Sequence, residues 1–177
     1  AGMAKSANQK LKLLYLMDIL LERTDEEHGI TMQEILDALK AHGITAERKS
    51  IYDDIECLRD YGMDIIQTGG GKGSGYYVAS REFELPELKL LVDSVQASKF
   101  ITDKKSDQLI KKLESLVSNH QAKKLHRQVA ITGRVKSINE TIFYNVDMIH
   151  EAINDDRQIR FQYFRWNVKK EMEIGRA

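Results

Sequence analysis

At 177 residues, with 42% hydrophobic side chains, one proline and 27 basic against 27 acidic residues, the chain has room for one ordinary domain or two small ones around a real apolar core. No stretch approaches the roughly 20 consecutive apolar residues of a membrane-spanning helix, and residues 1–5 lack the charged-then-apolar layout of a signal peptide. A single cysteine, Cys57, excludes an internal disulfide and fits a reducing cytoplasm.

The first predicted element is a central helix over about Asn8 to Arg23, apolar around most of its circumference although Lys12 and Asp18 interrupt the run. A polar loop follows. Thr31 and Glu34 then have the spacing of a capping box, in which the hydroxyl caps the helix start and the carboxylate reaches back to the cap. Ile35, Leu36 and Leu39 supply the core face of this second helix, and Gly43 stands where helices commonly stop. Thr45 is the expected cap of a third helix, whose Ile51, Ile55 and Leu58 recur at i, i+4 and i+7 as one buried stripe ending at Gly62. Met63–Gln67 and Tyr76–Ala79 flank a glycine-rich stretch and predict a β-hairpin. Three helices and a hairpin in this order are those of a winged helix-turn-helix.

Beyond Ser80 the pattern changes. Pro86 opens an amphipathic helix with Leu88, Leu91, Val92 and Val95, and a second carries Leu109, Ile110, Leu113, Leu116 and Val117. A more polar helical stretch covers about 121–136, and a fourth helix aligns Ile142, Val146, Ile149 and Ile153. After Asp155 and Asp156 the period becomes two, so Ile159, Phe161 and Tyr163 predict a strand, with Trp166 and Asn167 turning it into a second over Val168–Ile174.

The third helix carries the chemistry. With its stripe inward, Ala46, Lys49 and Asp53 fall on the opposite face, with Ser50 and Tyr52 towards the sides. In a helix-turn-helix the early turns of the second helix enter the major groove, where hydroxyls and a lysine bond phosphates or base edges. The glycine-rich turn fails as a phosphate loop, since Gly71-Lys72-Gly73 precedes a strand rather than a helix. As a wing it brings its backbone and Lys72 near a phosphate or the minor groove. The candidate DNA contacts are therefore Thr45, Arg48, Lys49, Ser50, Tyr52, Asp53 and Lys72. His28, His42, His120, His126 and His150 show no metal-ligand spacing, and the adjacent pairs Asp53–Asp54 and Asp155–Asp156 are poor acid–base partners. Cys57 has no base at a readable spacing, and Lys123, Lys124 and Arg127 form a basic patch that reads as a solvated face. No metal, cofactor or catalytic set is expected.

The stretch Ala46–Gly62 resembles the recognition helix of the DeoR-like (type 11) helix-turn-helix of WYL-domain transcriptional regulators, matching its pattern at Arg48, Ser50, Ile51, Tyr52, Asp54, Ile55, Leu58 and Gly62. The similarity continues through Gly75–Val78 and Phe83–Leu88 and reaches Ala152–Tyr163, which looks like the opening of a WYL domain. Asp53 departs from it, standing where many members have arginine, and the Trp-Tyr-Leu motif is missing because Trp166 is followed by Asn167. The resemblance implies a bacterial regulator, usually dimeric, whose C-terminal domain senses a ligand or nucleic acid. Here that domain is expected to be incomplete, and its effector is unknown.

The sequence thus predicts an α+β protein with a winged helix-turn-helix at 1–80, a helical linker and dimerisation region at 81–138, and the beginning of a β-rich, WYL-like sensor domain at 139–177. The expected function is cytoplasmic, non-enzymatic and membrane-free: sequence-specific binding of double-stranded DNA by a homodimer for transcriptional control. Charge points elsewhere. Residues 1–80 hold nine basic and thirteen acidic side chains, a net of −4, against a net of +4 over 81–177, the reverse of the usual bias. A winged-helix protein-interaction module without DNA binding is the alternative.

Overall fold

The computed structural model describes residues 3–69, 74–129, 136–161, 163–166 and 172–175. It is mixed α and β, and it divides into two compact units, one of residues 1–98 with 106–134 and the other of 99–105 with 135–177. No helix among the described residues is long and apolar enough to cross a membrane.

The first unit is organised around helix α1 (Met3–Arg23), which starts earlier than the apolar pattern indicates and buries Leu16, Ile19 and Leu20 completely or nearly so. Its C-terminal end is closed by Thr24. The Thr24 amide (3.2 Å) and hydroxyl (2.6 Å) both donate to the Leu20 carbonyl, satisfying an acceptor the helix itself leaves open. Arg81 donates through Nη2 to the carbonyls of Leu21 and Thr24, each at 2.6 Å, so a cation lies at the negative end of the helix dipole.

After a two-residue strand β1 (Ile30–Thr31), helix α2 (Met32–Ala41) starts at the expected capping box. The Glu34 amide donates to Thr31 Oγ1 at 3.3 Å, and the Thr31 amide to Glu34 Oε2 at 2.7 Å. Gly43, at φ 74°, ends α2, and Gly62, at φ 112°, ends helix α3 (Arg48–Tyr61), both in the left-handed region that favours glycine. Strands β2 (Ile65–Thr68) and β3 (Gly75–Val78) form an antiparallel hairpin in which Ile65 pairs with Val78 and Thr68 with Gly75. β3 also pairs with β1, giving a three-stranded sheet in the order β1-β3-β2. The sequence pattern misses β1 because two residues are too few to show a period. Ile35, Leu39, Ile51, Ile55, Leu58, Ile65, Tyr76 and Val78 join the α1 side chains in one core cluster.

The unit continues through α4 (Leu85–Ala97), α5 (Asp103–Glu114, from Ser106 onward) and α6 (Asn119–Val129). Leu88, Val92, Ile110, Val117 and Leu125 make a second, smaller core. Polar contacts tie α6 to the loop after α1. Ser118 accepts from the Gln121 amide at 3.1 Å, capping α6, and its hydroxyl donates to Asp25 Oδ2. The other oxygen of Asp25 accepts from the Glu27 amide (3.0 Å) and lies 2.7 Å from His28 Nδ1. The His28 ring stacks on His120 with centroids 3.8 Å apart. At the surface, Lys124 pairs with Glu27 at 2.8 Å. The expected helical stretch to 136 is α6 as far as Val129; 130–135 lie outside the described residues.

In the second unit, α7 (Thr141–Asn154) begins where Asn139 Oδ1 accepts from the Thr141 amide (2.9 Å) and hydroxyl (2.7 Å). Lys104 pairs with Glu140 at 3.6 Å, and Lys105 Nζ lies 4.7 Å from the Phe143 ring centre, in cation–π range. α7 buries none of its side chains completely. Of the strand expected from Ile159, the described residues show β4 (Tyr163–Trp166), which pairs antiparallel with β5 (Met172–Gly175). Residues 157–161 are irregular, and among the described residues the β4–β5 ladder runs from Tyr163 to Trp166. The turn expected at Trp166–Asn167 reaches residues 167–171, which are outside the described residues.

Asp25 yields a pH prediction. Burial pushes its carboxyl up, but hydrogen bonds from Ser118, His28 and the Glu27 amide, helped by the charge of His28, outweigh this and hold it below the ordinary carboxylate value. A group depressed in the folded state stabilises the fold above its unfolded value of about 3.9 and loses that contribution as pH falls through the lowered one. Ser118→Ala leaves one buried carboxylate oxygen without its donor and is expected to cost about 1–3 kcal/mol at pH 7. Urea unfolding at pH 7 and pH 3 checks this: the deficit should shrink at the lower pH, and an equal deficit at both would assign the loss to α6 capping alone.

Candidate nucleic-acid interface

Helix α3 has two unlike faces. Ile51, Ile55 and Leu58 are at most 3% exposed and join the core cluster with residues of α1, α2 and the sheet, whereas Lys49, Tyr52 and Asp53 on the far side are exposed. Arg48, in the first turn and also exposed, donates from Nη2 to Gln33 Oε1 of α2 at 3.2 Å. That single bond links the outer faces of the two helices and leaves further guanidinium donors open. At the other end, Arg59 Nε donates to the Ile65 carbonyl at 2.8 Å, anchoring α3 to the first strand of the hairpin.

Several expected site residues are placed differently from the simple helical projection. Thr45 is exposed in the link before α3 but does not cap it; Glu47, extended at φ −95° and ψ 148°, is the N-cap and makes no side-chain capping bond. The reason lies in the neighbours. Ile44 is buried and Ala46 packs partly against the core, so the chain runs extended between them and cannot start a helix at Thr45. Ala46 is thereby taken off the outer face. Ser50 is half-buried on the flank of α3, where its hydroxyl accepts from Lys12 Nζ. Among the described residues Asp53 has no ion pair with Lys49, and both side chains are exposed. Lys72 lies outside the described residues.

Beside this face runs the β2–β3 ribbon, where Gln67 Nε2 donates to Ser74 Oγ at 2.8 Å across the strands. Tyr76, paired with Gln67 across the ribbon, is buried; burial pushes the phenol up, and Tyr52 adds to the shift. Tyr52 itself is 46% exposed. The outer face of α3 therefore offers an ammonium and a guanidinium for anionic acceptors, a phenol that donates or accepts, and a carboxylate that accepts only from N–H or O–H donors. Further along, Glu56 and Asp60 are exposed, so the cationic character is confined to the first turn.

Three polar residues that organise this region were not singled out by motif: Lys12, Arg81 and Ser118. Only Lys12 left a readable signal, a charge inside an apolar helical run. Lys12 is 4% exposed, with Nζ on Ser50 and 2.7 Å from Asp54 Oδ2. An open cleft of about 660 Å³ lies beside the end of α1, lined by Asp25, Asp64, Arg81, Glu84, Gln121 and Lys124 among others. Among the described residues no group of three potential metal ligands converges. Compared with known proteins, the chain matches no family model, no curated protein and no solved structure.

Proposed function

We propose that the first unit is a winged helix-turn-helix that binds double-stranded DNA in a sequence-selective way, as part of a transcriptional regulator of the WYL-domain type. The observation that carries this reading is the outward face of α3. Its apolar stripe is buried in the core, Lys49, Tyr52 and Asp53 are exposed on the other side, and Arg48 keeps guanidinium donors open beyond its bond to Gln33. α2 and α3 serve as the bihelical pair, with α3 entering the major groove and the hairpin lying against the backbone. Arg48, Lys49, Tyr52 and Thr45 meet phosphates or base edges, and Lys72, which lies outside the described residues, is assigned a phosphate from its place in the sequence. Ser50, held by Lys12, supports the helix instead of reading bases. The rest of the chain serves a sensor whose effector is a ligand or nucleic acid. The excess of acidic side chains over residues 1–80, including Glu56 and Asp60 on α3, favours one other reading, a protein-interaction module of the same shape.

Fluorescence anisotropy with a duplex selected from a genomic library separates the two. DNA binding should weaken with salt at a log–log slope of about −0.9 per phosphate neutralised. Lys72→Ala should weaken all duplexes alike, whereas Lys49→Ala should also reduce the ratio between selected and random duplex. Absent or salt-insensitive binding supports the interaction module.

The acting form is taken to be a homodimer, because two such units gain affinity by spanning half-sites one helical turn apart. Leu90 on α4, 68% exposed, and Ile153 on α7, 64% exposed, are apolar surface that a second copy can cover. Light scattering of the chain at tens of micromolar should give twice the chain mass; a monomer there contradicts this.

A further inference from the structure

We propose that Lys12 is a positioning residue that sets the rotation of α3 about its own axis and so aims the face that meets DNA; this rests on the reading given under Proposed function. Lys12 is on α1, is 4% exposed, and brings its ammonium to two groups of α3. It donates to Ser50 Oγ and lies 2.7 Å from Asp54 Oδ2, a buried oxygen with no hydrogen-bond partner of its own. Alignment favours the serine, so Asp54 is held by charge and not by a well-directed hydrogen bond.

A buried ammonium is an expensive way to fasten two helices, since desolvation offsets most of the attraction and an apolar pair of similar volume serves stability as well or better. What the apolar stripe of Ile51, Ile55 and Leu58 does not supply is a fixed roll, because side-chain ridges tolerate sliding in their grooves. Ser50 and Asp54 are one helical turn apart on the same flank, next to Lys49 and Asp53 respectively. One ammonium gripping both fixes that flank to α1. The outer side chains lie roughly 5–6 Å from the helix axis, so a roll of about 20° moves them by about 2 Å. Hydrogen bonds to base edges, confined to about 2.7–3.2 Å, do not survive such a displacement. Phosphate attraction does, because charge interactions fall off slowly with distance.

The test uses the full chain with Lys12→Met/Asp54→Met, which replaces both charges by apolar groups, and Asp54→Asn, which keeps the shape while removing the carboxylate charge should the double variant fail to fold. Each variant is measured for binding to the selected and to a random duplex, and for residual dipolar couplings of the α3 amides without DNA. The expected result is a selected-to-random ratio reduced at least about tenfold in the double variant and about threefold in Asp54→Asn, with random-duplex affinity within about twofold of the parent. The couplings should report a changed orientation of α3 against α1. A folded variant with the parent ratio and parent couplings overturns the proposal. If the parent itself shows no preference for any duplex, the DNA reading fails on its own, and the couplings still decide whether Lys12 sets the roll.

Discussion

The first unit depends on how the C-terminal end of α1 is satisfied. A buried helix end leaves carbonyls without intrahelical donors, and each must find a partner or cost the fold dearly. Thr24 supplies one answer and extends it: its hydroxyl donates to Leu20 and accepts from the Val78 amide at 3.0 Å, locking β3 to the helix. Arg81 supplies another through Leu21 and Thr24, and so fixes where the chain leaves the sheet for α4. Asp25, one residue on, reaches Ser118 and thus the start of α6. The sheet, the path into α4 and the start of α6 are thereby referred to one point on α1.

The same helix orients α3 from its middle, through Lys12 and the apolar contacts around it. This arrangement gives the net charge of the N-terminal part a different meaning. Two acidic residues there are internal or paired: Asp25 is 3% exposed, and Asp54 faces Lys12. On the reading proposed for this unit, a polyanion would meet the N-terminus of α3 with its exposed Arg48 and Lys49, where the backbone dipole adds positive character. The acidic half of α3 then limits how much of the helix the backbone attracts, which suits selective binding better than strong, indiscriminate binding.

Local features were the legible ones. Thr31 with Glu34, the Ile51–Ile55–Leu58 stripe, and the glycines at 43 and 62 each act within a turn or two, so spacing alone reveals them. The features that escaped join distant residues. Ser118 and Asp25 are 93 positions apart, and Lys12 and Ser50 are 38 apart, so no window of sequence contains both partners. Ser50 is the instructive case, because projection on a helical wheel put it at the side of an exposed face, and only the third dimension adds the lysine that occupies it. Thr45 failed as a cap for a similar reason: Ile44 and Ala46 are drawn into the core on either side of it, and tertiary packing overrode a sound local preference. In the second unit, alternation at Ile159 and Phe161 signals a strand, but among the described residues the β ladder runs from Tyr163 and 157–161 are irregular.

The central claim is that the outward face of α3 meets DNA, and Asp53 tests it most directly because its exposed carboxylate has no partner among the described residues. A carboxylate there is repelled by phosphates and has the N4 amine of cytosine as its usual base-edge donor. The measurement is the affinity of Asp53→Arg for a random duplex as a function of salt. The account predicts tighter binding than the parent, a steeper salt slope and weaker discrimination between sequences. Unchanged affinity and an unchanged slope would contradict it, because a charge reversal on a face close to the phosphates cannot pass unnoticed.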